Sequence, residues 1–192
     1  LPDMTVGAAR ATYVRYKPGT SCLVAYRLDL NGVERDVYAK AYATSSAADK
    51  LAKARQRVGR GAMAGLVLDG EALVVSLFPF DHRLRTLHRL ADPARRARLF
   101  KRLLRERPDL WHAEPRVLRY KPERRYVAVL GEGADAVLVR LYTRRDYAAV
   151  AGVTQIVSRG PLRVPTRLAR SDRYHALALS WMPGEPLDDA LR

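Results

Sequence analysis

Cysteine is nearly missing from this chain: Cys22 is the single one in 192 residues. One thiol excludes an intrachain disulfide framework and any multi-cysteine zinc site, and it fits a reducing, cytoplasmic setting. Histidine is also scarce, with His82, His88, His112 and His175 the full set. His112 and His175 stand alone, and metal ligation by either is not expected. No apolar run approaches the roughly 20 residues that cross a bilayer. No signal peptide is legible from Leu1 onward. Acidic residues are outnumbered, 20 against 35 Lys and Arg, which leaves a formal charge of +15. The 48% of hydrophobic residues supports a core and argues against disorder. The length allows one ordinary domain or two small ones.

An excess of positive charge points to an acidic partner: nucleic acid, anionic lipid or phosphorylated small molecules. The densest stretch is Asp92 to Arg107, with Arg95, Arg96, Arg98, Lys101, Arg102, Arg105 and Arg107 against Asp92 and Glu106. Asp92 followed by Pro93 makes an N-cap and first turn. Leu99, Phe100, Leu103 and Leu104 form an apolar stripe at helical spacing. The stretch is therefore expected as an amphipathic helix with a basic outer face. A solvated face explains it more simply than a nucleic-acid surface, since no zinc-finger or RNA-binding aromatic motif is present.

The chain repeats itself. Tyr13-Val-Arg-Tyr-Lys-Pro18 returns as Val117-Leu-Arg-Tyr-Lys-Pro122, with four of six positions identical. Val37-Tyr-Ala-Lys-Ala-Tyr42 returns as Val137-Leu-Val-Arg-Leu-Tyr142, Gln56-Arg-Val-Gly-Arg-Gly61 as Gln155-Ile-Val-Ser-Arg-Gly160, and Ala72-Leu-Val-Val-Ser-Leu-Phe-Pro79 as Ala176-Leu-Ala-Leu-Ser-Trp-Met-Pro183. The offset falls from 104 to 100 across the Asn31-Gly32 hairpin signal and returns to 104 at the last match. A tandem duplication accounts for matches in this order.

Each copy reads as three strands, a helix and two strands. In the first, strands are expected over 12–17, 22–30 and 33–43, a helix from Ser45 or Ser46 to Val58 ended by Gly59 and Gly61, and short strands at 66–68 and 72–78 about an Asp69-Gly70 hairpin signal. In the second, the helix is expected over 145–157 and the last two strands about the Ser171-Asp172 turn. Residues 1–90 make the first unit, 91–112 a basic linker helix, and 113–192 the second unit.

This order, with an exit through a proline, resembles the N-lobe of protein-kinase-like enzymes. Trp181-Met-Pro-Gly-Glu-Pro-Leu187 resembles the hinge and following helix start of the aminoglycoside phosphotransferase and choline kinase-like family. Ala39-Lys40-Ala41 resembles the third-strand segment that carries the nucleotide-binding lysine. The paired Arg-Tyr-Lys-Pro motifs resemble bacterial members with a duplicated N-terminal region. The resemblance implies an α+β fold of two N-lobe-like units, each a five-stranded antiparallel sheet with one packed helix. It implies ATP with magnesium as cofactors and a small-molecule hydroxyl as phosphoryl acceptor.

The resemblance also defines departures. In the family, the residues that activate the hydroxyl and ligate magnesium sit in a C-lobe on a His-Gly-Asp loop, with a later Asn and Asp. No histidine here is followed by Gly-Asp. The chain is thus expected to be the N-terminal portion of a longer protein, inactive by itself, with its C-lobe supplied in cis or in trans. By resemblance, Lys40 and its counterpart Arg140 face the nucleotide phosphates; the turn with Lys121, Arg124 and Arg125 covers them; Trp181 and Met182 form the hinge. A kinase-like lysine is held by a helix glutamate, yet the first helix offers only Asp49, and the second has Asp146. Asp81 and His82, after the last strand of the first copy, read as turn chemistry. Other classes stay open: a non-catalytic basic module for nucleic acid or a phosphorylated partner, or a pseudokinase-like interaction protein.

Overall fold

The computed structural model describes residues 5–59, 64–152 and 164–184. The chain is α+β and divides into two units, Leu1–His88 with Lys121–Glu123, and Arg89–Tyr120 with Arg124–Arg192. Among the described residues, no helix is long and apolar enough to cross a membrane.

The first unit contains β1 (Val6–Lys17), β2 (Ser21–Leu30), β3 (Val33–Tyr42), α1 (Thr44–Gly59), β4 (Gly65–Leu68) and β5 (Leu73–Leu77). Its strands pair antiparallel in the order β1-β2-β3-β5-β4. Asn31 and Gly32 take φ of 54° and 78°, the paired left-handed conformations of a type I′ hairpin. That turn sets an unbroken β2–β3 register from Ser21↔Tyr42 to Leu30↔Val33. The Asp69-Gly70 signal resolves differently. There Ala72 N–H donates to the Asp69 carbonyl, and Ala72, not Gly70, takes the positive φ of 50°. Helix α1 buries Ala47, Leu51 and Ala54 against Val74, with Tyr42, Val67 and Phe80 around them. A leucine as buried as Leu51 contributes about 2 kcal/mol by removing its apolar surface from water.

The second unit contains α2 (Pro93–Leu103), β6 (Arg116–Lys121), β7 (Arg125–Leu130), β8 (Val137–Tyr142), α3 (Arg144–Ala151), β9 (Arg167–Ser171) and β10 (Ala176–Ser180). Its sheet order is β6-β7-β8-β10-β9, the same plan as the first. Helix α3 starts at Thr143, whose Oγ1 accepts from Asp146 N–H, and packs Tyr147 and Ala151 on Tyr142 and Leu177. Its expected continuation to 157, and the match at 155–160, lie outside the described residues.

The basic stretch does not run free as a connection. Asp92 caps α2 by accepting from Arg95 N–H at 2.7 Å, and the helix buries Ala97, Leu99, Phe100 and Leu103 in contact with β9 and β10. It is a component of the second unit, because its apolar stripe needs a sheet to cover it. Arg96 is the exception on its basic face: it is buried, donates to the Leu90 carbonyl at 3.2 Å and pairs with Glu114.

The repeat holds, with one change of register. Lys40 lies opposite Val74, and Arg140 opposite Leu177, so the offset is 100 on the third strand and 103 on the fifth. The backbone agrees: Phe78 N–H donates to Asp36, and Trp181 N–H to Ala136. The 104-residue match of the last strands is therefore one residue out. Trp181 is the counterpart of Phe78, and Leu179, not Ser180, that of Ser76. A one-residue slip would turn every side chain of the strand to the wrong face. Strand pairing therefore decides the alignment over shared letters.

Candidate functional site

Lys40 lies on β3 between Tyr38 and Tyr42, which share its face of the sheet. Leu23 of β2 stands directly opposite it, and Arg15 of β1 stands opposite Leu23. Arg15, Leu23 and Lys40 thus form one row across three strands, all pointing to the same side. The two cations flank a leucine that is 0% exposed. Two strand spacings separate their backbones by about 10 Å, enough room for one carboxylate between their tips.

That carboxylate is Glu123, whose segment Lys121–Glu123 belongs to the first unit. Lys40 Nζ donates to its Oε1 at 2.9 Å and to its Oε2 at 2.7 Å. Arg15 Nη2 donates to Oε2 at 2.7 Å. His82 Nδ1 stands 3.5 Å from Oε1. Asp81 fixes the backbone of this arrangement. Its Oδ2 accepts from Glu123 N–H at 2.7 Å, while its Oδ1 accepts from Arg83 N–H at 2.8 Å and Leu84 N–H at 3.0 Å. The turn chemistry expected of Asp81 is present, and the same side chain also holds Glu123 beside His82.

Electrostatics follow from burial and from charge pairing. Burial pushes the Glu123 carboxyl up, but Lys40, His82 and Arg15 together hold it below the ordinary carboxylate range. Burial pulls Lys40 down; Glu123 opposes this incompletely, and Arg15 and Arg83 add to the depression. Burial likewise lowers His82 against the attraction of Glu123. Arg15 and Lys40 share the Glu123 carboxylate, and the buried Asp81 carboxylate lies one hydrogen bond behind it. Burial, with Asp81 nearby, pushes the Tyr38 phenol well above the usual tyrosine range.

The sequence-expected residues divide between the units. Lys40 is in the cluster just described, and Lys121 places its Nζ 5.2 Å from the Tyr13 ring centre, also in the first unit. Arg124, Arg125, Arg140, Trp181 and Met182 are in the second unit. Arg124 and Arg125 are exposed. Arg140 is half-buried on β8, and its buried Nε has no hydrogen-bond partner among the described residues. Trp181 packs on Val129, Ala136 and Leu138, and Met182 is half-buried beside it in sequence. Asp49, the only acid of the first helix, is exposed and pairs with Lys53 at 3.6 Å. The lysine's acid thus comes from a turn rather than the helix. Glu185, Asp188 and Asp189, acids that follow the Pro183-Gly184 turn and read from the sequence as helix-capping, lie outside the described residues.

Arg15, His82 and Glu123 were not legible as site residues. A signal existed for the first: arginine is one of the four identities of the repeated motif, and Arg119 holds its place in the second unit. Among the described residues, no group of three or more His, Cys, Asp or Glu side chains is gathered to hold a metal ion. Compared with models of protein families, with curated proteins and with solved structures, the chain matches none.

Proposed function

We propose that the chain is the nucleotide-covering portion of a phosphotransferase-like protein with the plan of the aminoglycoside phosphotransferase family. In this reading the second unit approaches ATP phosphates with Arg140, and the first is a diverged copy. One observation carries it. Both units place a basic residue on the third strand of a β1-β2-β3-β5-β4-type sheet, but among the described residues only Lys40 of the two is bound to a carboxylate. Arg140 keeps an unpartnered buried nitrogen among the described residues. Phosphoryl transfer depends mainly on positioning and electrostatic stabilisation, and an arginine fork suits phosphate oxygens. A C-lobe, in cis or in trans, would supply magnesium ligands and the carboxylate for a small-molecule hydroxyl.

The test is calorimetric titration with ATP, with and without magnesium. The expected result is binding that Arg140→Met weakens by about tenfold or more and Lys40→Met leaves unchanged. Absence of ATP binding, or dependence on Lys40 instead of Arg140, overturns the reading.

A second reading rests on a cavity of about 630 Å³ in the second unit, lined by Arg102, Arg105, Arg107 and Arg170 against the single acid Glu106, with Leu168. Such a groove suits a non-catalytic module for nucleic acid or a phosphorylated partner. A steep loss of RNA or DNA binding with salt, without ATP binding, would select it.

A further inference from the structure

We propose that the Arg15–Lys40–His82 cluster of the first unit is a binding site for a phosphate-class anion, closed by Glu123 as a built-in occupant. The site stands apart from the nucleotide reading of the second unit.

The cluster has the form of a receptor. Arg15 and Lys40 project from one row of the sheet and converge on the same carboxylate oxygen, Oε2, at 2.7 Å each. His82 adds a ring nitrogen from the chain after β5. Two strands thus aim donors at one oxygen while His82 flanks the other, which is how a fixed anion site is built. The side chains of Arg15, Lys40 and His82 remain 16%, 12% and 25% exposed, whereas that of Glu123 is 1% exposed. The cations reach solvent, and the carboxylate fills their inner side.

Glu123 is an unusual choice for that place. It has φ of 58°, a left-handed conformation that glycine adopts freely and that strains a side-chain-bearing residue. Its counterpart in the first repeat is Gly19, at φ 64°. A turn alone would be met by glycine. The strained glutamate is held by what its carboxylate does, with Asp81 fixing its N–H. A phosphate anion has oxygens enough to meet Arg15, Lys40 and His82 together.

The test uses the full chain carrying Glu123→Gly, which keeps the backbone conformation and removes the occupant. Thermal denaturation is followed in sodium phosphate, sodium acetate and sodium chloride at matched ionic strength. The expected result is a melting temperature for the variant that rises by about 4 °C or more in phosphate, less in acetate and not in chloride. Wild type should show no such preference, and Glu123→Gly with Lys40→Met should lose it. If the variant does not fold in chloride, recovery of native circular dichroism in phosphate reads the same site. No anion preference beyond that of wild type, no recovery in phosphate, or a response that survives Lys40→Met overturns the proposal.

Discussion

Gly19 and Glu123 hold the same place in the two repeats, and both are left-handed, at φ 64° and 58°. Matching hydrogen bonds establish the equivalence: Ala43 N–H donates to the Thr20 carbonyl, and Thr143 N–H to the Arg124 carbonyl. One position therefore serves two ends. In the first repeat it is a turn with open space around it; in the second it delivers a carboxylate to Lys40.

Gly19→Ala should destabilise the protein by about 1 kcal/mol. A Cβ at this position meets nothing within 4 Å, so the cost is one of backbone conformation alone. Urea denaturation reads the difference. An unchanged midpoint would mean the turn relaxes to another conformation.

Lys40→Met should cost about 2–4 kcal/mol, because it leaves the buried Glu123 carboxylate with Arg15 as its main partner. Glu123→Gln should also destabilise, since it leaves two cations facing a neutral amide. The double variant should lose less than the sum of the singles, by about 1 kcal/mol or more. Denaturation of the four proteins measures that coupling, and additive losses would show the pair to be energetically independent.

Stability should fall on acidification in two stages. His82 has a folded pKa held below its ordinary 6.5, so it favours folding above pH 6.5 and loses that contribution as pH falls from there through the folded value. Arg57 and Lys40 act in the same direction on His82, and Glu123 and Asp81 oppose them. Glu123 itself is held below 4.5, so its contribution is full above pH 4.5 and is lost as pH falls through its folded value. Lys40 acts only at the alkaline end, where stability should rise as pH passes its depressed folded value toward 10.5. Melting curves from pH 3 to 8 in wild type and Glu123→Gln check the assignment. The limb below pH 4.5 should flatten in the variant.

Arg140→Met should be neutral or stabilising by up to about 1 kcal/mol, since it removes a buried nitrogen without a partner among the described residues. The same variant should lose ATP affinity under the proposed function. Gain of stability with loss of ligand is the pattern of a binding residue; a large loss of stability would mark Arg140 as structural.

Asp92→Ala should cost about 1 kcal/mol by releasing Arg95 N–H at the start of α2. Hydrogen exchange should locate the loss in the second unit, where α2 packs on β9 and β10. Protection lost evenly across both units would contradict α2 as a component of the second alone.

Local chemistry was legible wherever it is self-contained. The Asn31-Gly32 hairpin, the Asp92 cap and the strand–helix–strand order of both copies depend on backbone conformations and periodicities within a few residues. The Asp69-Gly70 hairpin was legible too, joining β4 to β5, but its turn conformation was not, because Ala72 took the left-handed position that the dipeptide signal assigns nearer its glycine. The register of β10 was not either, because shared letters with β5 outweighed by one residue the pairing that β8 imposes.

The sequence by itself determined two copies of one α+β plan, a cation on the third strand of each, and a capped basic helix. Only tertiary structure decided what those cations meet. Lys40 finds its acid 83 residues away, in a turn of the other repeat's sequence, while Asp49 on the nearby helix faces solvent. Charge pairing depends on distance and burial in space, and neither is written in local spacing.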